Sequence, residues 1–130
     1  MNFVSSIKHS FQHSFDYKTR ATRSEFWWFA LFSILVFAVY GLLVYLVLTI
    51  SPETIFSGFG QFLISYLPAV LALPLVVAAI PLNVRRLHDV GWTGWFILIT
   101  GVPLIGAIFQ LIYSLKDSQT SPNQWGSCPK

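Results

Sequence analysis

Apolar and polar positions first follow a helical period along this chain and then give way to long runs with no polar face. Phe3, Val4, Ile7, Phe11 and Phe15 fall within an arc of roughly 120° at about 100° per residue, with Lys8 and Lys18 flanking it. Residues 1–18 are therefore expected to form an amphipathic helix lying in a membrane interface. Residues 26–50 then contain no charge at all. At about 1.5 Å per residue such a helix reaches roughly 37 Å, enough to cross a bilayer with tilt. The run is too long for a signal-peptide core, and no small-residue cleavage site follows it. Charge is absent again between Glu53 and Arg85, with residues 62–82 the most apolar part. Each crossing needs about 20 residues, so this gap holds one span and not two. Pro68, Pro74 and Pro81 lie in it and predict a kinked helix whose freed carbonyls are satisfied by neighbours. Ser65, Ala69 and Ala72 offer a stripe of small residues for that packing. Residues 95–115 form the third span, bent at Gly101, Pro103 and Gly106, with Thr93 as its expected N-cap. Trp27 and Trp28, like Trp92 and Trp95, are expected in the headgroup belt. Residues 116–130 read as a polar, turn-rich and mostly irregular tail.

The fold class is thus an all-α integral membrane protein in one domain, with three transmembrane helices and an N-terminal interfacial helix. Composition agrees: 55% of the 130 residues are hydrophobic and only 10% are charged, against roughly 25% charged in a soluble domain. The net charge of +3 sits outside the apolar runs, so it points to a membrane surface and not to nucleic acid. Lys8, Lys18, Arg20, Arg23, Arg85 and Arg86 share one side if the N-terminus and the second loop are cytoplasmic; these are six of the eight Lys and Arg residues. Three crossings then place the tail, with Lys116 and Lys130, outside. A bend at Pro103 that made the third segment re-entrant would return it. Cys128 is the one cysteine and has no intrachain partner, so it is expected as a free thiol.

The chemistry concentrates between Arg85 and Asp89, where two arginines, a histidine and an aspartate fall in five positions. On a continuing helix Arg85 and Arg86 both reach Asp89, being four and three residues from it, whereas the adjacent His88 and Asp89 diverge by about 100°. Arg20, Arg23 and Glu25 lie on the same side and can join them in one network. Two readings stand together: a cytoplasmic anion site of guanidiniums, or helix-end salt bridges that serve topology. His88 could modulate the charge of such a site near neutral pH. His9, His13 and Asp16 have metal-ligand spacing, but their face is expected to look into water and no metal site or cofactor is inferred. No nucleophile elbow, zinc-helix motif, phosphate loop or dinucleotide fingerprint is present. No Asp, Glu, Lys, Arg or His lies within the three spans, and Gln110 is their one amide, which argues against proton coupling through this chain alone.

The runs RATRSEFWWF (20–29), RRLHDVGWTGW (85–95), PLIG (103–106) and NQWGSCP (123–129) resemble a bacterial inner-membrane family, the domain of unknown function 805. The pattern covers the chain from about Phe11 to Pro129, with Asn123, Trp125, Gly126 and Pro129 carrying its tail. Thr19 stands where the family often has glycine, and Trp92 where it often has a polar residue. The resemblance implies a small multi-span protein of the bacterial cytoplasmic membrane and no assigned reaction. The leading expectation is a non-enzymatic role, with Arg20, Arg23, Arg85 and Arg86 holding an anionic lipid headgroup or an acidic partner segment. The alternatives are a subunit of a homo-oligomeric channel or transporter, and a membrane enzyme using His88 and Asp89.

Overall fold

The computed structural model describes residues 2–129. Five α-helices follow one another: α1 (Phe3–Gln12), α2 (Arg23–Ile50), α3 (Gly58–Gln61), α4 (Leu67–Asp89) and α5 (Ile105–Leu115). There is no strand among the described residues, only an isolated bridge between Asn123 and Gly126. Two stretches are long and apolar enough to cross a membrane: Arg23–Ile50, of 28 residues, and Gly58–Asp89, of 32. These reach about 42 and 48 Å respectively. The chain divides into two compact units, Leu31–Val76 and the remainder.

The Leu31–Val76 unit is an apolar hairpin. Its turn is the 3-10 helix Pro52–Phe56, after which Ser57 caps α3 by accepting the amide of Gly60 (3.0 Å). Between α3 and α4 lies a π-helical stretch, Phe62–Tyr66. Its cause is Pro68, which has no N–H and crowds the carbonyl four residues back. The amide of Leu67 pairs with the carbonyl of Phe62, which leaves the Leu63 carbonyl without its usual helical donor. The Tyr40 hydroxyl supplies the replacement at 2.6 Å, so a neighbour does re-satisfy the backbone that proline frees. The packed face is not the expected small-residue stripe: Ser65 and Ala69 are exposed, and Leu63 and Leu75 are buried instead.

The other unit holds α1, residues 13–22, the ends of α2 and α4, α5 and the tail. The N-terminal helix stops at Gln12, short of residue 18. Ser6, Ser10 and Ser14, one turn apart, are buried, while Val4 and Phe15 are 71% and 84% exposed. The small serines let the backbone of α1 approach its neighbours, and much of the apolar arc points outward. Phe3 and Phe11 lie at its inner edge, meeting Trp28 and Phe29 edge-on at 5.7 Å.

The third apolar stretch is not the continuous span expected over residues 95–115. It comprises a 3-10 helix, Gly94–Gly101, a break, and α5 of 11 residues. Leu104 in the break has φ 64°, a conformation no helix can run through, and α5 alone is only about 16 Å long. Thr93 caps nothing with its side chain; its carbonyl accepts the amide of Phe96 instead.

Candidate functional site

The last two turns of α4 carry charged side chains into the protein interior. Gly91 ends the helix with φ +87°. The amide of Trp92 returns to the carbonyl of Leu87 (2.9 Å) and that of Gly91 to His88 (3.1 Å), a Schellman closure that glycine accommodates without strain. Gly94 serves a different need: a Cβ there would lie 2.8 Å from Val84 Cγ1 and 3.3 Å from His88 Nε2. The HDVGWTGW run therefore stops α4 and folds the next segment tightly against it.

Residues 13–22 pack on this end, with the Ala21 amide donating to the Arg85 carbonyl (3.0 Å). Thr22 accepts the amide of Glu25 (3.1 Å), the geometry of a helix N-cap. The Glu25 carboxylate does not fold back to complete a capping box. Its Oε1 accepts from Arg85 Nη1 (3.1 Å) and Ser10 (3.3 Å), and pairs with His9 Nδ1 (2.8 Å). Asp89 forms a second centre. It accepts from Arg20 Nε (3.2 Å), from Arg86 and from the Ser118 hydroxyl. The expected pairing of Arg85 with Asp89 gives way to Arg85–Glu25, while Arg86–Asp89 forms at the three-residue spacing.

The guanidiniums also hold the tail. Arg20 donates to the carbonyls of Asp89 (3.2 Å), Gln119 (2.5 Å), Ser121 (3.3 Å) and Gly126 (3.3 Å). Arg86 donates to the carbonyls of Ala21 (3.4 Å) and Lys116. Arg23 reaches the Leu115 carbonyl (3.1 Å), and Trp27 Nε1 that of Ser114 (3.2 Å). Asn123 donates to the His88 carbonyl (3.0 Å), and Trp125 stacks on the His88 ring at 4.3 Å. The tail is thus bonded to the same segments as the N-terminal residues.

Arg20, Glu25, Arg85, Arg86 and Asp89 are all at most 6% exposed. Three guanidiniums face two carboxylates, an excess of one positive charge. Arg85 Nε and Nη2 and Arg86 Nε meet no acceptor among the described residues. Of the arginines, Arg23 is the exposed one, loosely paired with Asp117 at 3.9 Å. His88 and Asp89 do not act together: Asp89 is enclosed by its donors, and His88 Nδ1 bonds the Thr19 carbonyl at 3.1 Å.

His9 and His13 stack at 3.9 Å, and the first faces Glu25, not the water expected of it. Asp16 turns to Thr19, whose hydroxyl and amide both donate to it, as does the Lys18 amide. Burial raises its carboxyl, but these bonds outweigh that and leave it below the usual carboxylate range. No group of three or more His, Cys, Asp or Glu residues among the described residues could hold a metal ion. Trp27, Trp28 and Trp95 are exposed, Trp95 the most at 80%. Trp92 instead stacks on Phe109 at 5.5 Å, with the Lys116 ammonium 4.9 Å above its ring.

Hollows open on this end. A cleft of about 690 Å3 is lined by His9, His13, Arg20, Thr22, Arg23 and Glu25, among others. A cavity of about 550 Å3 lies between α4, the 3-10 helix and the tail. The residues that sequence reasoning missed are those completing the network: Ser10, Thr19, Ser118 and Gln119. The spacing Ser6–Ser10–Ser14 was a legible sign that a small face of α1 packs inward. The tail partners had no local signal.

A family model described as protein of unknown function, DUF805, matches residues 14–127. The chain belongs to the DUF805 family. The DUF805 match spans the buried charges, the α4 closure and the tail that Arg20 holds. The chain is also similar to the inner membrane protein YhaI of Escherichia coli strain K12, 28% identical over 111 residues, or 85% of this chain and 83% of that protein. YhaI of Escherichia coli O157:H7 matches to the same extent. No solved structure matches. A DUF805 member with two long apolar helices, related to inner membrane proteins, is a membrane protein of a family without an assigned activity.

Proposed function

We propose that this chain is a non-enzymatic, multi-pass protein of the bacterial inner membrane that holds an anionic lipid headgroup at a cytoplasmic charged end. The observation that carries this reading is the cleft beside α2. Its wall combines the exposed Arg23, the charge of Arg20, the Thr22 hydroxyl and two imidazoles. Behind Glu25 stands Arg85, whose free N–H groups leave a positive charge only partly compensated. Trp27 and Trp28 begin the apolar run just past the cleft, which puts it at headgroup depth. A phosphate there meets the donors of the Arg23 guanidinium, with the charge of Arg20 close by, in a medium that strengthens charge pairing.

The tail contacts favour two full crossings, by α2 and by the helix ending at Asp89. The 3-10 helix and α5 then enter and return, in the re-entrant arrangement. Seven of the eight Lys and Arg residues lie among the described residues, and all seven (Lys8, Lys18, Arg20, Arg23, Arg85, Arg86, Lys116) belong to the segments that pack at this end. By the positive-inside rule that end is cytoplasmic. Cys128, the native free thiol, reports it: a membrane-impermeant maleimide is expected to label it only after the cells are permeabilised. Labelling of intact cells would restore three crossings.

Headgroup binding is tested by native mass spectrometry of the full chain with phosphatidylglycerol and phosphatidylcholine. Arg23→Gln is the informative variant because its side chain is exposed. Arg85→Gln/Arg86→Gln would strand the buried Glu25 and Asp89 and confound binding with folding. Preferential retention of phosphatidylglycerol, reduced several-fold in Arg23→Gln, is expected. Equal retention of both lipids by the wild type would overturn the headgroup and leave an acidic partner segment as the occupant.

A further inference from the structure

The second hollow has a different chemistry from the cleft, and the geometry points to a binding site for an uncharged lipid alcohol. Its walls come from α4 (Ile80, Val84, His88), from the 3-10 helix Gly94–Gly101 and its approach (Thr93, Gly94, Trp95, Ile97 and Leu98), and from Tyr17 and Trp125. At about 550 Å3 it is the size of a small-molecule site. No Arg, Lys, Asp or Glu lines it. A phosphate or carboxylate there would lose its hydration with no cation in return, so the anionic lipids suited to the Arg23 cleft are disfavoured.

The polarity of the walls is graded. Ile80, Ile97 and Leu98 belong to the apolar stretches, and Leu98 is 70% exposed, leaving that side open toward lipid. At the other side stand His88, 4% exposed, and Trp125, whose ring covers it. The occupant is therefore amphipathic, with aliphatic chain at one end and a small polar group at the other.

His88 specifies that group. Its Nδ1 lies 3.1 Å from the Thr19 carbonyl, an acceptor, so the ring proton sits on Nδ1. Nε2 then carries a lone pair. It has no hydrogen-bond partner among the described residues and lies beside Gly94, where an added Cβ would approach it to 3.3 Å. The nitrogen can accept a hydrogen bond but not donate one, which selects a hydroxyl over an ester or ketone carbonyl. Gly94 keeps that corner of the cavity open.

The site stands on observations separate from the headgroup cleft, and its test separates the two. The purified full-length protein is titrated with dioctanoylglycerol and with its 3-O-methyl ether, in which a methyl group replaces the hydroxyl proton and removes the donor, and binding is read by native mass spectrometry. One equivalent of the alcohol is expected to bind about fivefold more tightly than the ether, the worth of one hydrogen bond. Leu98→Trp, at an exposed position that leaves the buried network intact, is expected to fill the cavity and abolish retention of the alcohol. Phosphatidylglycerol retention should survive in that variant. Equal affinity for alcohol and ether, or undiminished alcohol binding in Leu98→Trp, would overturn the proposal.

Discussion

The two units of this protein differ in what they bury: the charged end encloses charged side chains beside apolar ones such as Leu82 and Leu87, whereas the hairpin encloses Leu63 and Leu75 and leaves most of its apolar surface bare. At the charged end Arg85, Arg86 and Asp89 are fully buried, held by Glu25 and Arg20 and by carbonyls and hydroxyls of residues 13–22 and the tail. In the Leu31–Val76 hairpin Ile34 and Leu73 are each 65% exposed. A soluble protein reverses this arrangement. Lipid removes the reason to bury leucine, since its tails are as apolar as the side chain. It also raises the penalty on any unpaired polar group. The specific contacts of this chain therefore gather where it is charged, and the hairpin is left with few of them.

That contrast can be broken most directly at Asp89. Asp89→Asn leaves Arg20 and Arg86 buried without their carboxylate, and a loss of about 3–5 kcal/mol is expected. Thermal unfolding in detergent measures it, together with release of the tail as faster modification of Cys128. A loss below about 1 kcal/mol, of the size found for surface ion pairs, would mean that the network is not enclosed.

An intermediate effect is expected at the α4 closure. Gly91→Ala forces a side chain into φ +87° and brings a Cβ within 2.8 Å of Gln119 Oε1. The backbone strain alone is worth about 1–2 kcal/mol, and the same unfolding assay should find it. The smallest effect belongs to the hairpin. Tyr40→Phe removes the donor to the Leu63 carbonyl and is expected to cost about 0.6 kcal/mol, the mean for such bonds in membranes. A cost as large as that of Asp89→Asn would show that the hairpin, too, depends on a polar contact and would erase the comparison.

Part of the candidate site was legible because it is local. Arg85 to Asp89 stood out against a chain with only 10% charged residues, and the helical spacing correctly paired Arg86 with Asp89. The same spacing rule misplaced Arg85, because Glu25, 60 residues away in sequence, competes for it and wins. Periodicity also read Phe3, Val4, Ile7, Phe11 and Phe15 as one face, but it could not say that the serines beside it would pack inward. The third stretch is not one continuous helix for a related reason. Residues 95–115 have the composition of a crossing helix, yet hydropathy is blind to the left-handed φ of Leu104.

By itself the sequence determined that two long helices are apolar enough to cross a membrane, that proline would disturb the second, and that the charge collects outside them. Those properties follow from residue type and spacing along one chain segment. Only the tertiary structure decided which carboxylate each arginine takes, that the tail is bonded to the N-terminal segment, and that His88 faces a cavity with no charged wall. These are contacts between segments tens of residues apart, and their partners are chosen by the desolvation of buried charge, which no local pattern encodes.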